Sequence, residues 1–258
     1  MIKGLYTAYT GLRNEQNRLD VMTNNLANAS TVGYKKEGST SQSFDSVLAY
    51  KLKDSSVGLG KAERIGVNRP GVKIGENYVD YTQGSFRITE NTFDLALDGE
   101  GFFAVEFTNK AGETSTMYTR AGGFTLNSEG YLVNSNGDYL LDVDSKRIKL
   151  DPLKDAAITT DGTISQDGVD ITKIQVADFA NYDYLERYGE TYFRPLEGAE
   201  LTKGPAQIHS GYLEMSNVSI VTEMVNMISI TRAYETNQKV MQTFDNTLRI
   251  ATTDLGKV

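Results

Sequence analysis

The chain has 258 residues, which is enough for one large domain or two smaller ones, and it carries 34 acidic against 26 basic side chains. This net charge of −8 disfavours binding to nucleic acids or to anionic membrane surfaces, because both depend on clustered Lys and Arg. The lack of cysteine excludes disulfides, thiolate metal sites and cysteine nucleophiles. No membrane-spanning helix and no cleaved signal peptide is expected, since neither the start of the chain nor any other stretch has the continuous apolar core that these require.

The N-terminal segment, residues 1–32, is predicted to be a helix. Its apolar positions recur at steps of three and four residues, which is the spacing of a stripe along a coiled-coil helix. The stripe consists of Leu5, Tyr9, Leu12, Gln16, Leu19, Thr23 and Leu26. Asn24, Asn25 and Asn28 weaken the helix, and the stretch from Thr31 to Tyr34 is expected to end it.

The middle of the chain has a different pattern. Residues 33–80 are rich in Ser, Gly and Lys and are predicted to be a linker with some extended structure. Residues 81–210 contain short apolar or alternating runs such as 102–107, separated by turn dipeptides such as Asp98-Gly99 and Asp167-Gly168. This arrangement predicts β-hairpins in an antiparallel domain.

The C-terminal segment, residues 215–258, is predicted to be a second and longer helix, capped by Ser216, Asn217 or Ser219. A heptad stripe runs along it and consists of Met227, Ile230, Tyr234, Asn237, Met241, Phe244, Leu248, Ala251 and Leu255. A second row widens the stripe at its start and consists of Val221, Met224, Val225 and Ile228.

These segments together predict an α+β protein whose N- and C-terminal helices pair as a coiled coil around a central antiparallel β-rich domain. Ordinary amphipathic helices that lie on their own domain are the alternative. The 3.5-residue period favours the coiled coil, as do the occasional polar residues in the stripes. Because a two-helix unit leaves much apolar surface exposed, neighbouring molecules are expected to cover it.

No catalytic, cofactor or metal site is expected. His209 is the only histidine, and its surroundings do not resemble a nucleophile elbow. The carboxylates at Asp94, Asp98, Glu100 and Glu106 could suggest a glycosidase, but they lie beside a glycine turn, where Asp is favoured for backbone reasons. The stretch 142–146 starts like an EF-hand loop but lacks its later ligand and glycine.

Several long motifs nevertheless resemble those of a known family, the flagellar rod and hook proteins. They are residues 24–35 (NNLANASTVGYK), 94–103 (DLALDGEGFF), 118–124 (YTRAGGF), 211–218 (GYLEMSNV), 223–228 (EMVNMI) and 232–237 (RAYETN). The resemblance covers almost the whole chain, and the motifs occur in the family's order. One departure is Thr31-Val32-Gly33, where the family often has Thr-Pro-Gly.

The resemblance implies terminal helices in an inner coiled-coil tube with a β-rich domain outside it. It also implies export by the flagellar type III apparatus without a cleaved signal, and assembly with itself and with neighbouring rod and hook proteins into the axial rod, which carries torque from motor to hook. Within the family, the length and the extended segment 40–80 favour the distal rod protein, and a proximal rod or hook-type subunit is the alternative.

Burial between subunits is the predicted role of one set of residues: Leu5, Tyr9, Leu12, Leu19, Leu26, Val221, Met224, Ile228, Tyr234, Met241, Phe244 and Leu248. A second set is predicted to form the turn out of the first helix: Asn24, Asn25, Leu26, Ala27, Asn28, Gly33 and Tyr34. Two other classes remain open, namely a cell-wall hydrolase and a secreted binding module with a β domain.

Overall fold

The computed structural model describes residues 2–45, 47–51, 63–68, 71–109 and 112–255. Parts of the predicted segments lie outside the described residues. They are residue 1 of the N-terminal segment, residues 46, 52–62, 69 and 70 of the predicted linker, residues 110 and 111 of the β domain, and residues 256–258 of the C-terminal segment.

The chain begins with a long helix, α1 (Ile2–Ala27), and ends with another, α2 (Ile220–Leu255). Strands and one short 3-10 helix (Tyr182–Tyr184) lie between them in the sequence. The first strands are β1 (Lys36–Ser43), β2 (Val47–Lys51), β3 (Glu63–Asn68), β4 (Val72–Asp80), β5 (Phe86–Ile88), β6 (Leu95–Asp98) and β7 (Phe102–Thr108). They are followed by β8 (Thr114–Thr119), β9 (Phe124–Leu126), β10 (Leu132–Asn134), β11 (Tyr139–Leu140), β12 (Ala156–Ile158), β13 (Thr163–Gln166) and β14 (Val169–Lys173). The last strands are β15 (Val176–Phe179), β16 (Leu185–Tyr188), β17 (Tyr192–Pro195), β18 (Leu201–Lys203), β19 (Gln207–Ser210) and β20 (Tyr212–Glu214). This confirms an α+β chain with a helix at each end, whereas the coiled-coil geometry stays a prediction.

The chain divides into two compact units. The helix unit comprises Met1–Leu26, Glu37–Asp80 and Ile220–Val258, and the β unit comprises Ala27–Lys36 and Tyr81–Ser219. In the helix unit, the segment predicted as a linker contains two strand pairs, β1 with β4 and the antiparallel pair β2 with β3. Over the described residues, neither helix has an apolar stretch long enough to cross a membrane.

The β unit is built on one large sheet with the strand order β16-β17-β8-β7-β11-β10-β9, to which β15 and β18 are joined through β7. The strand pairs along this sheet are antiparallel, which confirms the predicted topology class. The aromatic and β-branched residues of these strands fill the pleated inner face. The core consists of Leu95, Leu97, Phe103, Val105, Met117, Phe124, Leu132, Leu140, Ile148, Leu150, Ile164, Ile174, Tyr192 and Ile208.

The predicted turn dipeptide Asp167-Gly168 lies where two paired strands reverse. Asp167 and Gly168 have φ angles of 54° and 79°, and they form a two-residue connection between β13 and β14, where Gln166 pairs with Val169. Two positive φ angles in succession give the twist that matches a right-handed strand pair, which is why Asp-Gly is favoured there.

The first helix ends at Ala27, earlier than the stretch 31–34 that was expected to end it. Asn28 explains the difference. Its backbone carbonyl accepts the amide hydrogen of Thr31 at 3.1 Å, and its side-chain oxygen accepts the Thr31 hydroxyl at 3.1 Å. These local bonds replace helical ones, as is typical of Asn near a helix end. The second helix begins at Ile220, so Ser219 is the capping candidate in the right position.

One buried tyrosine of the core gives a pH-dependent prediction. The Tyr192 hydroxyl donates to the Asp138 carboxylate and accepts from Asn134 and Asn136 at 2.6 and 2.8 Å. Burial, with the added effect of Asp138, raises the pKa of Tyr192 from 10.0 to about 12. Since the unfolded chain then loses this proton first, the stability that the group contributes is present below pH 10 and is lost as the pH rises towards 12.

We therefore expect the free energy of unfolding of the protein to fall between pH 10 and about 12, and to fall less steeply in Tyr192→Phe. Urea unfolding at a series of alkaline pH values, followed by far-UV circular dichroism, measures both slopes. Part of the slope should survive in the variant, because burial also raises the pKa of Tyr81 and Tyr118. Equal slopes for the two proteins would contradict the assignment to Tyr192.

Candidate assembly surfaces

The two helices of the helix unit contact each other through glycines of α1. A Cβ atom added to Gly4 would lie 2.7 Å from the ring of Phe244, and one added to Gly11 would lie 3.1 Å from the side-chain amide of Asn237. Seven residues forward on α1 therefore correspond to seven residues back on α2, so the helices run antiparallel with a heptad step. The same step continued brings Asn25 level with Glu223, and both side chains are fully buried.

The predicted heptad of α2 lies on the side that contacts α1. Ile230 is buried, and Tyr234, Met241, Phe244 and Leu248 are half-buried. Phe244 packs over Gly4, where the missing side chain leaves room for the ring. The single chain thus covers this stripe in part and leaves the rest of it accessible.

A second row at the start of α2 is turned away from that contact. Val221 is 73% exposed, and Met224 and Ile228 are 50% and 55% exposed. Val225 and Ile220, which the predicted set does not include, belong to the same exposed surface. We call these five residues the apolar row. So many large aliphatic side chains on one helix surface are typical of an interaction site rather than of free surface.

The predicted stripe of α1 is less deeply buried than its neighbours on the helix. Leu5, Leu12, Leu19 and Leu26 are half-buried, and Tyr9 is 47% exposed. Thr10, Asn14, Val21 and Asn25 are buried instead and share a second face of the helix, whereas the buried Ala8 lies on the leucine side. The heptad pattern identifies the leucines but not this second face.

The second face of α1 packs against the strands of the helix unit. A Cβ added to Gly71 would lie 2.2 Å from the Thr10 hydroxyl, and the Ser41 hydroxyl donates to the Asn14 side chain at 3.1 Å. Hydrogen-bonding side chains suit this face because the strands carry polar groups that need partners.

The predicted motif turn contains two side chains with clear positioning roles. In the helix unit, the Asn25 side chain donates to the Glu37 carbonyl at 2.8 Å and accepts the Glu37 amide hydrogen at 2.9 Å. It thus makes the same two hydrogen bonds to the Glu37 backbone as a residue of a neighbouring strand would. In the β unit, Tyr34 is fully buried under the Arg187 guanidinium, which lies 4.2 Å from the ring centroid. Of the other predicted turn residues, Asn28 is buried, Leu26 is half-buried, and Asn24 and Ala27 are exposed.

The turn continues into a buried ion cluster that the sequence-based predictions missed. The Glu214 carboxylate accepts hydrogen bonds from Lys35 Nζ at 2.7 Å, from Arg120 Nη1 at 3.2 Å and from the Gly84 amide at 2.9 Å. The side chains of Lys35, Arg120 and Glu214 are at most 4% exposed. Two cations that share one anion in the core require this full set of hydrogen bonds, because an unpaired buried charge is very costly.

The same cluster ties together chain segments that lead out of the β unit. Lys35 Nζ also donates to the Thr82 carbonyl at 2.8 Å, and the Lys36 amide donates to the Asn217 side chain at 2.8 Å. Asn217 donates in turn to the Thr82 carbonyl at 3.1 Å. Residues near positions 35, 82 and 217 are therefore fixed to one another inside the β unit.

Two of the carboxylates considered for catalysis lie beside basic side chains. Glu106 accepts two hydrogen bonds from Arg147, at 2.9 and 2.6 Å, and this hydrogen bonding lowers the pKa of Glu106. Asp98 lies 3.7 Å from His209 and is more than half exposed. In the part of the chain that the structure describes, no three acidic or histidine side chains come together as a metal site would require.

Comparison with known proteins gives a consistent result. Residues 5–35 match the family "Flagella basal body rod protein", residues 96–169 match the D1 domain of the flagellar hook protein FlgE/F/G, and residues 209–254 match the C-terminal region of the flagellar basal body rod proteins FlgEFG. Each of these three matches contains one residue of the buried ion cluster, namely Lys35, Arg120 and Glu214 in that order.

Relatives that match over nearly the whole chain are also flagellar rod proteins. The chain is 31% identical to the flagellar basal-body rod protein FlgG of Bacillus subtilis, with 96% of this chain and 97% of the relative covered. It is 33% identical to FlgF of Caulobacter vibrioides, with 100% of both covered, and 32% identical to FlgG of the same organism, with 96% and 97% covered. These relatives are rod proteins, which confirms the prediction of a structural protein rather than an enzyme. The chain belongs to the flagellar basal-body rod protein family.

Proposed function

We propose that the chain is a structural subunit of the flagellar basal-body rod that assembles with itself through its two terminal helices. The exposed apolar row of α2 carries this proposal, because a large uncharged surface at a helix start requires a partner. Contacts between different faces of identical subunits produce an open helical polymer when the rotation does not close a ring. Such a polymer is suited to carry torque from motor to hook.

The helices of such a subunit would form an inner coiled-coil domain, residues 1–32 with 215–258. The antiparallel heptad step at Gly4 and Gly11 supports this arrangement. Residues 33–80 would lead outward, and residues 81–210 would form the outer β-rich domain. The grouping of both helices in one compact unit supports the inner domain, and that unit also contains residues 37–80.

Burial between subunits is the proposed role of the twelve residues predicted above, from Leu5 to Leu248. We expect Leu19→Asp and Leu248→Asp to abolish polymerisation while the β unit stays folded, because a charge cannot be buried in an apolar helix contact without a partner. Sedimentation and electron microscopy of the purified chain measure polymerisation, and near-UV circular dichroism of the tyrosines reports on the β unit.

Gln238→Asp is the matched control, since Gln238 is exposed on the same helix and should tolerate the charge. Normal polymers of Leu248→Asp would remove Leu248 from the interface. A wild-type chain that stays monomeric at every concentration would overturn the proposal and favour the secreted binding module.

Within the rod, we propose the distal position, with a proximal or hook-type subunit as the alternative. The paired strands in the segment 36–80 and the FlgG relatives support the distal assignment, and the FlgF relative supports the proximal one. Deletion of the gene in the source bacterium distinguishes them. A distal subunit should leave a short rod without a hook in isolated basal bodies, whereas loss of a proximal subunit should remove the rod.

Neighbouring rod and hook proteins and the flagellar export apparatus would be the other partners, with the chain located in the basal body after export without a cleaved signal. No nucleic acid is proposed as a partner, because the net charge is −8.

A further inference from the structure

The helix unit has a second exposed apolar surface, which lies on α1. Tyr6 and Tyr9 are 49% and 47% exposed, and their spacing of three residues puts them on the same face of the helix. The Tyr6 ring lies 6.3 Å from the ring of Phe44, which supports it from one side. We call Tyr6 and Tyr9 the tyrosine pair.

The apolar row and the tyrosine pair lie at different levels of the same two-helix bundle. The antiparallel register, in which Gly4 faces Phe244 and Gly11 faces Asn237, brings the tyrosine pair level with residues 239–242 of α2. The row occupies residues 220–228, so the two surfaces are roughly 24 Å apart along the axis at 1.5 Å per residue. They cannot cover each other within one copy.

The apolar row and the tyrosine pair have complementary side chains. Over the row, the only ionisable residue is Glu223, whose side chain is fully buried, so that no charge faces a partner there. The row offers Met224 and branched aliphatic side chains, and the tyrosine pair offers two rings. Methionine and aliphatic groups pack favourably on aromatic rings, and the tyrosine hydroxyls can stay in water at the rim.

The contact is small, which suits a contact that is repeated along a polymer. Two half-exposed tyrosines can bury roughly 200 Å², well below the roughly 800 Å² per partner of a stable complex. An isolated dimer held by this surface alone would be weak. A contact that recurs at every subunit of a polymer does not need to be strong by itself, because other contacts hold the same neighbours.

We infer that the apolar row of one copy docks on the tyrosine pair of the next copy, head to tail along the rod axis. This inference rests on the proposed self-assembly. A row that met another row would close an isologous dimer, whereas a row that meets a tyrosine pair leaves one free surface of each kind and continues indefinitely. The occupant of the apolar row is thus a second copy of this chain, in one orientation.

Cysteine cross-linking tests the inference, because the chain has no cysteine of its own. Ser229→Cys lies one turn beyond Val225, and Arg13→Cys lies one turn beyond Tyr9 on the same face; both native side chains are exposed. Neither change removes a residue of the row or of the tyrosine pair. The single variants and their equimolar mixture are polymerised, treated with a short bifunctional maleimide and analysed on denaturing gels.

We expect a covalent dimer in the mixture only, and a ladder of multimers when one chain carries both cysteines. Control variants Asp20→Cys and Gln238→Cys, exposed on the same helices outside both surfaces, should lose the dimer band. Dimers from Ser229→Cys alone would reveal row-to-row contact and overturn the inference. Polymers without a cross-link in the mixture would overturn it while leaving self-assembly intact, and failure to polymerise at all would overturn the proposed function itself.

Discussion

Replacement of Glu214 by alanine is expected to lower the free energy of unfolding of the protein by about 3–5 kcal/mol. The carboxylate is fully buried and serves Lys35, Arg120 and the Gly84 amide at once. Its removal leaves two cations in the core of the β unit without the anion that they share. Urea unfolding followed by circular dichroism measures the loss.

Two further variants separate the charge from the shape. Glu214→Gln keeps the side-chain volume, so a loss similar to that of alanine would assign the effect to charge. Glu186→Ala removes the partner of Arg194 in an ion pair whose side chains are about half exposed, and it should cost less than about 1 kcal/mol. Equal effects of Glu214→Ala and Glu186→Ala would show that the buried cluster has no special role.

A double-mutant cycle tests whether the cluster acts as a unit. Lys35→Met removes one of the two cations, so the combination with Glu214→Gln should destabilise the protein less than the sum of the single variants. Additive effects would mean that Lys35 and Glu214 are energetically independent despite the 2.7 Å between them.

The regular parts of the fold are predictable because their signals are local. The heptad from Ile230 to Leu248 is what one face of a helix produces, and those residues are the ones turned towards α1. The Asp167-Gly168 dipeptide marks a strand reversal for backbone reasons that need no tertiary context. Helix identity and antiparallel strands therefore follow from the sequence.

The buried face of α1 does not follow from the sequence in the same way. Its members, such as Thr10 and Asn14, are polar, and they are buried because strands from the segment 36–80 happen to pack there. A hydrophobic pattern cannot detect a face that is held by hydrogen bonds. The pattern of the leucines therefore gave only one of the two sides of the helix.

The buried ion cluster was not predicted from the sequence, because it joins residues that are far apart along the chain. Lys35 and Glu214 are 179 positions apart, and each would ordinarily be assigned to the surface as a charged residue. One signal was present: Lys35, Arg120 and Glu214 each lie inside one of the motifs that resemble the rod and hook family. Charged residues within long motifs, rather than in variable loops, are candidates for such buried networks.

Substitution of Gly33, in the motif turn, is also expected to lower the free energy of unfolding strongly. Its φ of +70° is unfavourable for a residue with a side chain, and a Cβ would lie 2.3 Å from the Ala121 amide nitrogen and 2.5 Å from the Arg120 carbonyl carbon. Neither backbone atom can move far, since Arg120 is held by Glu214 and by the Gly99 carbonyl. Gly33→Ala combines backbone strain of about 1–2 kcal/mol with overpacking of about 1–3 kcal/mol, and Gly33→Val adds a branched side chain.

Gly189 offers a matched control for this prediction. Its φ of +66° is nearly the same, but a Cβ there would meet no atom within 4 Å. Gly189→Ala should therefore cost only the strain, and the difference between the two alanine variants in urea unfolding isolates the steric contact at Gly33. In the source bacterium, Gly33→Val should abolish swimming and Gly189→Ala should preserve it. Equal stability of the two alanine variants, or normal motility of Gly33→Val, would mean that the turn can open without loss, and that the close approach of residues 33 and 121 is not required for assembly.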